Sequence, residues 1–123
     1  MFVGHMMRDD RPQIYGDGKQ SRDFVFIKDV VTATLAASEI PDANGEILNI
    51  GCGQDVSINR LVEELNAILC TSITPEYRPA RPGDLRSSLA EISNAKNRLG
   101  YVPSVNLASG LQQTANWLHG KSP

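Results

Sequence analysis

Two arginines and two glycine-centred turns carry most of the chemical content of this sequence. Arg22 lies just after Gly16-Asp17-Gly18, and Arg81 sits in a proline-flanked run, Arg78-Pro79-Ala80-Arg81-Pro82-Gly83-Asp84-Leu85-Arg86. Each has an acid nearby that could hold it, Asp23 beside Arg22 and Asp84 in the loop of Arg81. A planar guanidinium suits bidentate contact with phosphate oxygens. Two of them arriving from separate loops would fit a diphosphate better than a single anion. The same residues also read as solvated surface ion pairs of little energetic weight. On residue types alone the two readings are even.

Gly51-Cys52-Gly53 follows an apolar segment and precedes a helical pattern, where a phosphate-binding loop would sit. The position of a third glycine holds Val56, and no convincing acid follows some 20 residues on. A tight turn that needs positive φ is the simpler reading. His5 and His119 lie near opposite ends without clustered acids or thiols, so no metal site is expected. The sequence has no GxSxG or HExxH, and no tyrosine–lysine catalytic pair is expected. Asp23, Asp29 and Asp84 could serve acid–base chemistry in principle. Asp29 reads better as a helix cap, and Asp23 as a surface or turn-proximal strand residue.

These groups need elements to position them. Phe2 to Arg8 predicts the closing turns of a helix, ended by Pro12. Gln13 to Tyr15 and Ser21 to Ile27 predict two strands joined as a hairpin through Gly16-Asp17-Gly18. Asp29 is the expected N-cap of a helix over Val30 to Ser38, ended by Pro41 to Gly45. Glu46 to Ile50 predicts a strand. Ser57 then caps the clearest helix, whose Ile58, Leu61, Val62, Leu65, Ile68 and Leu69 fall on one face. Thr74 to Tyr77 predicts a strand and the arginine run a loop. Ser93 caps a short helix stopped by Gly100, and a last helix covers Leu107 to His119. This order predicts a small mixed α/β domain, without enough strands for a complete doubly wound sheet.

Composition agrees with one ordinary globular unit. The chain has 123 residues, is 41% hydrophobic and carries 12 basic against 14 acidic residues, a net charge of -2. That balance argues against DNA, RNA or an anionic membrane as main partner. No apolar run approaches the roughly 18–20 residues of a transmembrane helix, and the N-terminus lacks the pattern of a secretory signal. Cys52 and Cys70 show no CxxC spacing and read as reduced thiols in a cytoplasmic protein. Charge is uneven along the chain. Residues 36–70 hold Arg60 against Glu39, Asp42, Glu46, Asp55, Glu63 and Glu64, whereas the arginine run follows directly.

The block from Ile14 to Val31, read as IYGDGKQSRDFVFIKDVV, closely resembles one in the extended short-chain dehydrogenases. These are the NAD-dependent nucleotide-sugar epimerases and dehydratases. The resemblance continues in order through Gly45 to Gly53, the Arg81-Pro82-Gly83-Asp84-Leu85-Arg86 loop, Ile92 to Lys96, Leu99 to Pro103 and Leu111 to Trp117. It implies that Arg22 and Arg81 hold the diphosphate of a nucleotide sugar. It implies that Asp84 contacts the ribose or orients the neighbouring arginine, and that Gln13 and Tyr15 lie against the base, with the ring of Tyr15 available to stack. Asn49, Gly51 and Gly53 are expected to serve the strand-to-helix turn. In the family, NAD oxidises the sugar's 4-hydroxyl before reduction or dehydration.

The family's GxxGxxG, its ribose-binding acid and its serine or threonine with YxxxK have no expected counterparts here. The resemblance therefore implies that residues 1–123 are a C-terminal nucleotide-sugar-binding domain, with the NAD-binding Rossmann domain missing and no NAD site retained. A truncated, non-catalytic binder is expected. An interaction module is the alternative, one that completes a separate Rossmann chain or pairs with its own copy.

Overall fold

The structure, a computed structural model, describes residues 2–41 and 45–120. Among the described residues, five helices and five very short strands make a small mixed α/β fold: α1 (Phe2–Met6), β1 (Gln13–Tyr15), β2 (Ser21–Asp23), α2 (Ile27–Glu39), β3 (Asp55–Ser57), α3 (Ile58–Leu69), β4 (Glu76–Arg78), β5 (Ser87–Ser88), α4 (Ser93–Leu99) and α5 (Leu107–His119). The strands form two sheets. β1 pairs in parallel with β4, Gln13 opposite Glu76 and Tyr15 opposite Arg78. β2 is the centre of the other sheet, antiparallel to β3 and parallel to β5.

The main core gathers Val3 and Met6 of α1, Ile14 of β1, Leu61, Val62 and Leu65 of α3 and Ala115 of α5. Leu65 is fully enclosed. Burial of such a side chain contributes about 1.5–3 kcal/mol, so the apolar face of α3 anchors this half. A second cluster joins Ala33 of α2, Ala95 of α4 and Tyr101, with Leu48, Ile50, Ile92 and Leu99 against it.

The α3 and α5 boundaries fall as the pattern predicts. The Ser57 side chain accepts from the Arg60 amide, and α3 ends at Cys70 in the left-handed region, φ 54°. The Asn106 side chain caps α5 by accepting from Ser109 N, and Gly100 stops α4 at φ 64°. α1 is seen over Phe2–Met6. The expected turn over Pro41 to Gly45 falls largely on residues 42–44, outside those described.

Several expected elements take another form. β1 and β2 are not a hairpin, because they belong to different sheets. The turn between them gives its carbonyls to the start of α3 instead. Ile58 N donates to Gln20 O at 3.0 Å and Asn59 N to Gly18 O at 2.9 Å. The first amides of a helix have no partners inside it, so they compete well for these oxygens. Gly18 has φ 73°, and a Cβ there would lie 1.8 Å from Asn59 Oδ1. Only glycine fits.

β2 stops at Asp23, four residues early, because the Asp23 carboxylate turns to the 51–53 backbone. α2 starts at Ile27 with Phe26 at the cap position and no side-chain cap. Asp29 lies in its first turn, only 3% exposed, and accepts from Ser104 N, Ser104 Oγ and Val105 N. It holds the approach to α5 rather than capping α2. Burial alone would raise its pKa, but the Ser104 hydroxyl and the Ser104 and Val105 amides outweigh this, and the carboxyl lies below its ordinary value.

Glu46 to Ile50 forms no ladder with any described strand. Its Glu46 pairs with Arg98, Asn49 donates to Glu91 O, and Leu48 and Ile50 pack on the second cluster. β4 begins at Glu76, two residues later than expected, because Arg11 takes the carbonyls of Thr74 and Pro75. Ser93 opens α4 and caps nothing. Its amide donates to Glu91 Oε1 at 2.9 Å, and the Ser93 hydroxyl, followed by this amide, lowers the Glu91 pKa. β3 and β5 have no counterpart in the sequence pattern.

Candidate functional site

The loop from Arg81 to Arg86 brings the five expected binding residues into one region. Parallel pairing of β1 with β4 delivers it from one side, and pairing of β2 with β5 receives it on the other. Four hydrogen bonds tie it down. Arg86 makes a two-pronged ion pair with Asp17, at 2.7 and 3.1 Å. Ser21 N donates to Arg86 O at 2.9 Å, and Arg22 Nη1 donates to Leu85 O at 2.9 Å and to Ser21 O at 2.7 Å. Within the loop, Asp84 N donates to Arg81 O at 3.2 Å, across Gly83 at φ 85°. Residues 77–89 are all exposed, so this is an open surface.

Neither arginine is held by the acid beside it. Arg22 rests on two carbonyls, and Asp23 takes the amides of Cys52 and Gly53 at 2.7 and 2.9 Å. Arg81 lies over the ring of Tyr15, with Cζ 3.6 Å from the centroid. Tyr15 Oη donates to Gln13 Oε1 at 3.5 Å, and Gln13 Nε2 reaches Glu76 Oε2 at 3.4 Å. Gln13, Tyr15 and Arg81 thus form one continuous set. The Asp84 carboxylate bonds to none of the described residues, which leaves it facing solvent.

The Gly51-Cys52-Gly53 turn behaves as a tight turn. Its amides are committed to Asp23, with Ala90 N also reaching that carboxylate at 3.4 Å. A Cβ on Gly51 would lie 2.5 Å from Asp23 Oδ2. A dinucleotide pyrophosphate needs those same amides, so the turn does not fit NAD. A Tyr-x-x-x-Lys spacing does occur, at Tyr15 and Lys19, against the expectation that the chain has none. Its intervening Gly16 and Gly18 have positive φ and form a turn. A turn of this kind does not stack residues four apart on one face as a helix does, so the spacing does not form the helical tyrosine–lysine pair.

Sequence reasoning missed the groups that lock the loop. Asp17 and Arg86 are 69 residues apart, and nothing local signals their pairing. Ser21 Oγ links Asp55 Oδ2 at 2.7 Å and Ser87 Oγ at 3.0 Å, a hydroxyl bridge across the three strands of one sheet. The Arg86 bonds, followed by the Lys19 amide, pull the Asp17 pKa down from 3.8 to about 2. A cleft of about 320 Å³ lies elsewhere, lined by Phe24, Cys52, Gln54, Val56 and residues 103–107. None of the five binding candidates lines it. Among the described residues no cluster could hold a metal ion, and no helix is long and apolar enough to cross a membrane.

This fold and loop have close counterparts. Residues 1–51 match the family model described as the NAD dependent epimerase/dehydratase family. The UDP-glucose 4-epimerase of Mycolicibacterium smegmatis is 36% identical over 99% of this chain and 39% of its own. The UDP-glucuronate 4-epimerase of Thermodesulfobacterium geofontis is 34% identical over 94% of this chain and 36% of its own. Among solved structures, the Thermotoga maritima UDP-glucose 4-epimerase with UDP-glucose superposes at a TM-score of 0.90. It is 38% identical, and the match covers 97% of this chain and 38% of that one. A Bacillus cereus UDP-glucuronic acid 4-epimerase with UDP-glucuronic acid and NAD gives 0.91 at 33% identity, covering 98% and 38%.

The match to the NAD dependent epimerase/dehydratase family covers residues 1–51, and over nearly its whole length the chain is similar to UDP-sugar 4-epimerases. It spans between 36% and 39% of the length of these relatives. Within the epimerase/dehydratase fold it therefore represents one part, the small mixed α/β part.

Proposed function

We propose that this chain is the nucleotide-sugar-binding part of an NAD-dependent epimerase/dehydratase, taking a UDP- or dTDP-sugar by its diphosphate. The observation that carries this reading is the Arg81–Arg86 loop, clamped between two parallel strand pairs with Arg22, Arg81 and Asp84 around it. Arg22 has its Nη1 on the Ser21 and Leu85 carbonyls and Arg81 has no carboxylate partner among the described residues, so both guanidinium groups keep donors for phosphate oxygens. Residues 1–123 form the C-terminal part in this reading, and they bind substrate without performing the redox step.

Calorimetry with UDP tests it. The intact chain binds UDP, and Arg81→Ala weakens that binding by about 1.5–3 kcal/mol, the contribution of a charged hydrogen bond. No binding at millimolar UDP by the unmutated chain overturns the proposal.

A second reading rests on a separate surface. Ile27, Val31 and Leu35 fall at i, i+4 and i+8 on α2 and are 64%, 50% and 61% exposed, and Ile47 is 90% exposed. An apolar stripe of this kind marks an interaction surface. In this reading the chain pairs with a second copy or with a separate Rossmann-type body. Sedimentation velocity separates the two: self-association at tens of micromolar supports pairing of copies, and a clean monomer excludes it.

A further inference from the structure

Resting on the diphosphate-binding reading, we propose that Tyr15 is a positioning residue for Arg81, its ring holding the guanidinium ready for a phosphate. The resemblance assigns the ring of Tyr15 to a nucleotide base. The structure puts Arg81 on that ring, with Cζ 3.6 Å from the centroid. The face that Arg81 covers is lost to a base.

The arrangement suits an anion site for a physical reason. Arg81 lies in an exposed loop, where a long side chain loses rotamer entropy whenever it is fixed. A carboxylate partner would fix it, but would also occupy the in-plane N–H donors that phosphate requires. An aromatic face fixes the guanidinium through its π surface and leaves the N–H edge for a ligand. Among the described residues no carboxylate takes that edge: Asp84 contributes its amide to Arg81 O and not its side chain to the guanidinium. Less ordering is then left to be done when the ligand arrives.

The ring itself is firmly placed. Ile14, its neighbour in β1, is 1% exposed and belongs to the main core. Tyr15 O accepts from Gln20 Nε2 at 2.8 Å, its hydroxyl reaches Gln13, and its strand is paired with β4. The support for Arg81 is thus built from the hydrophobic core outward.

The test uses the intact 123-residue chain, titrated by calorimetry with inorganic pyrophosphate and with UDP. Tyr15→Leu is expected to weaken both ligands by the same factor, about 2- to 5-fold, the worth of an exposed cation–π contact. Tyr15→Phe keeps the ring and restores unmutated affinity. Tyr15→Leu combined with Arg81→Ala binds no more weakly than Arg81→Ala alone. In the ligand-free protein, the ring current shifts the Arg81 side-chain protons upfield; Tyr15→Leu abolishes that shift and Tyr15→Phe retains it. A Tyr15→Leu variant that loses UDP but keeps pyrophosphate affinity overturns the proposal in favour of base stacking. Unchanged binding of both ligands also overturns it and leaves the diphosphate reading standing. An unmutated chain that binds neither ligand overturns the diphosphate reading, and this proposal falls with it.

Discussion

Asp17 shows how one exposed carboxylate can set the shape of a binding surface. Its ion pair with Arg86 joins the turn after Tyr15 to the end of the arginine loop. The folded pKa of about 2 lies below the ordinary 3.8, so the sign is that of a depressed acid. The pair's contribution is fully present above about pH 4 and fades as pH falls through about 2. Carboxyl-carbon NMR is expected to show the Asp17 titration centred near 2, and Arg86→Ala returns it towards 3.8. A midpoint that does not move in Arg86→Ala would show that the clamp does not form. At this scale the sequence was informative about type and silent about partner. Arg22, Arg81 and Asp84 could be singled out by chemistry, because arginine and acid near glycine and proline are visible locally. The holders of the two arginines could not, because the Leu85 carbonyl 63 residues from Arg22 and the Tyr15 ring distant from Arg81 leave no local trace.

The helices were the legible elements, and α3 explains why. Its apolar residues repeat at the helical period and its start is marked by Ser57, so pattern and cap agree. Leu65 sits at the centre of that face, fully buried among Val3, Met6 and Ile14 in the main core. Leu65→Ala is expected to cost about 2–5 kcal/mol in denaturant unfolding, with unchanged helical content at low denaturant. A loss below 1 kcal/mol would mean that α3 is not the anchor of this core. Strands of two or three residues were a different matter. A three-residue segment carries too little alternation to betray itself, and its ladder partner decides whether it exists. Glu46 to Ile50 has the composition of a strand and no described strand beside it, whereas Ser87–Ser88 has no strand character and pairs with β2. Asp29 and Ser93 follow the same logic. Both are good capping types, yet tertiary partners recruited Asp29 to Ser104 and Val105 and set Glu91 before Ser93.

For the molecule as a whole, the mixed α/β class was readable from the order of elements, but the division into two sheets was not. That division depends on which strands meet, and both decisive pairings run in parallel between distant segments: β1 with β4 across 63 residues, β2 with β5 across 66. The same two pairings build the arginine loop into a site. They also set the pace at which that site comes into being. Each requires a chain segment of some sixty residues to close before any bond in the ladder rewards it, and closures of that length are entropically slow. The surface that would grip a diphosphate therefore exists only while both short ladders are closed, and it is lost if either opens.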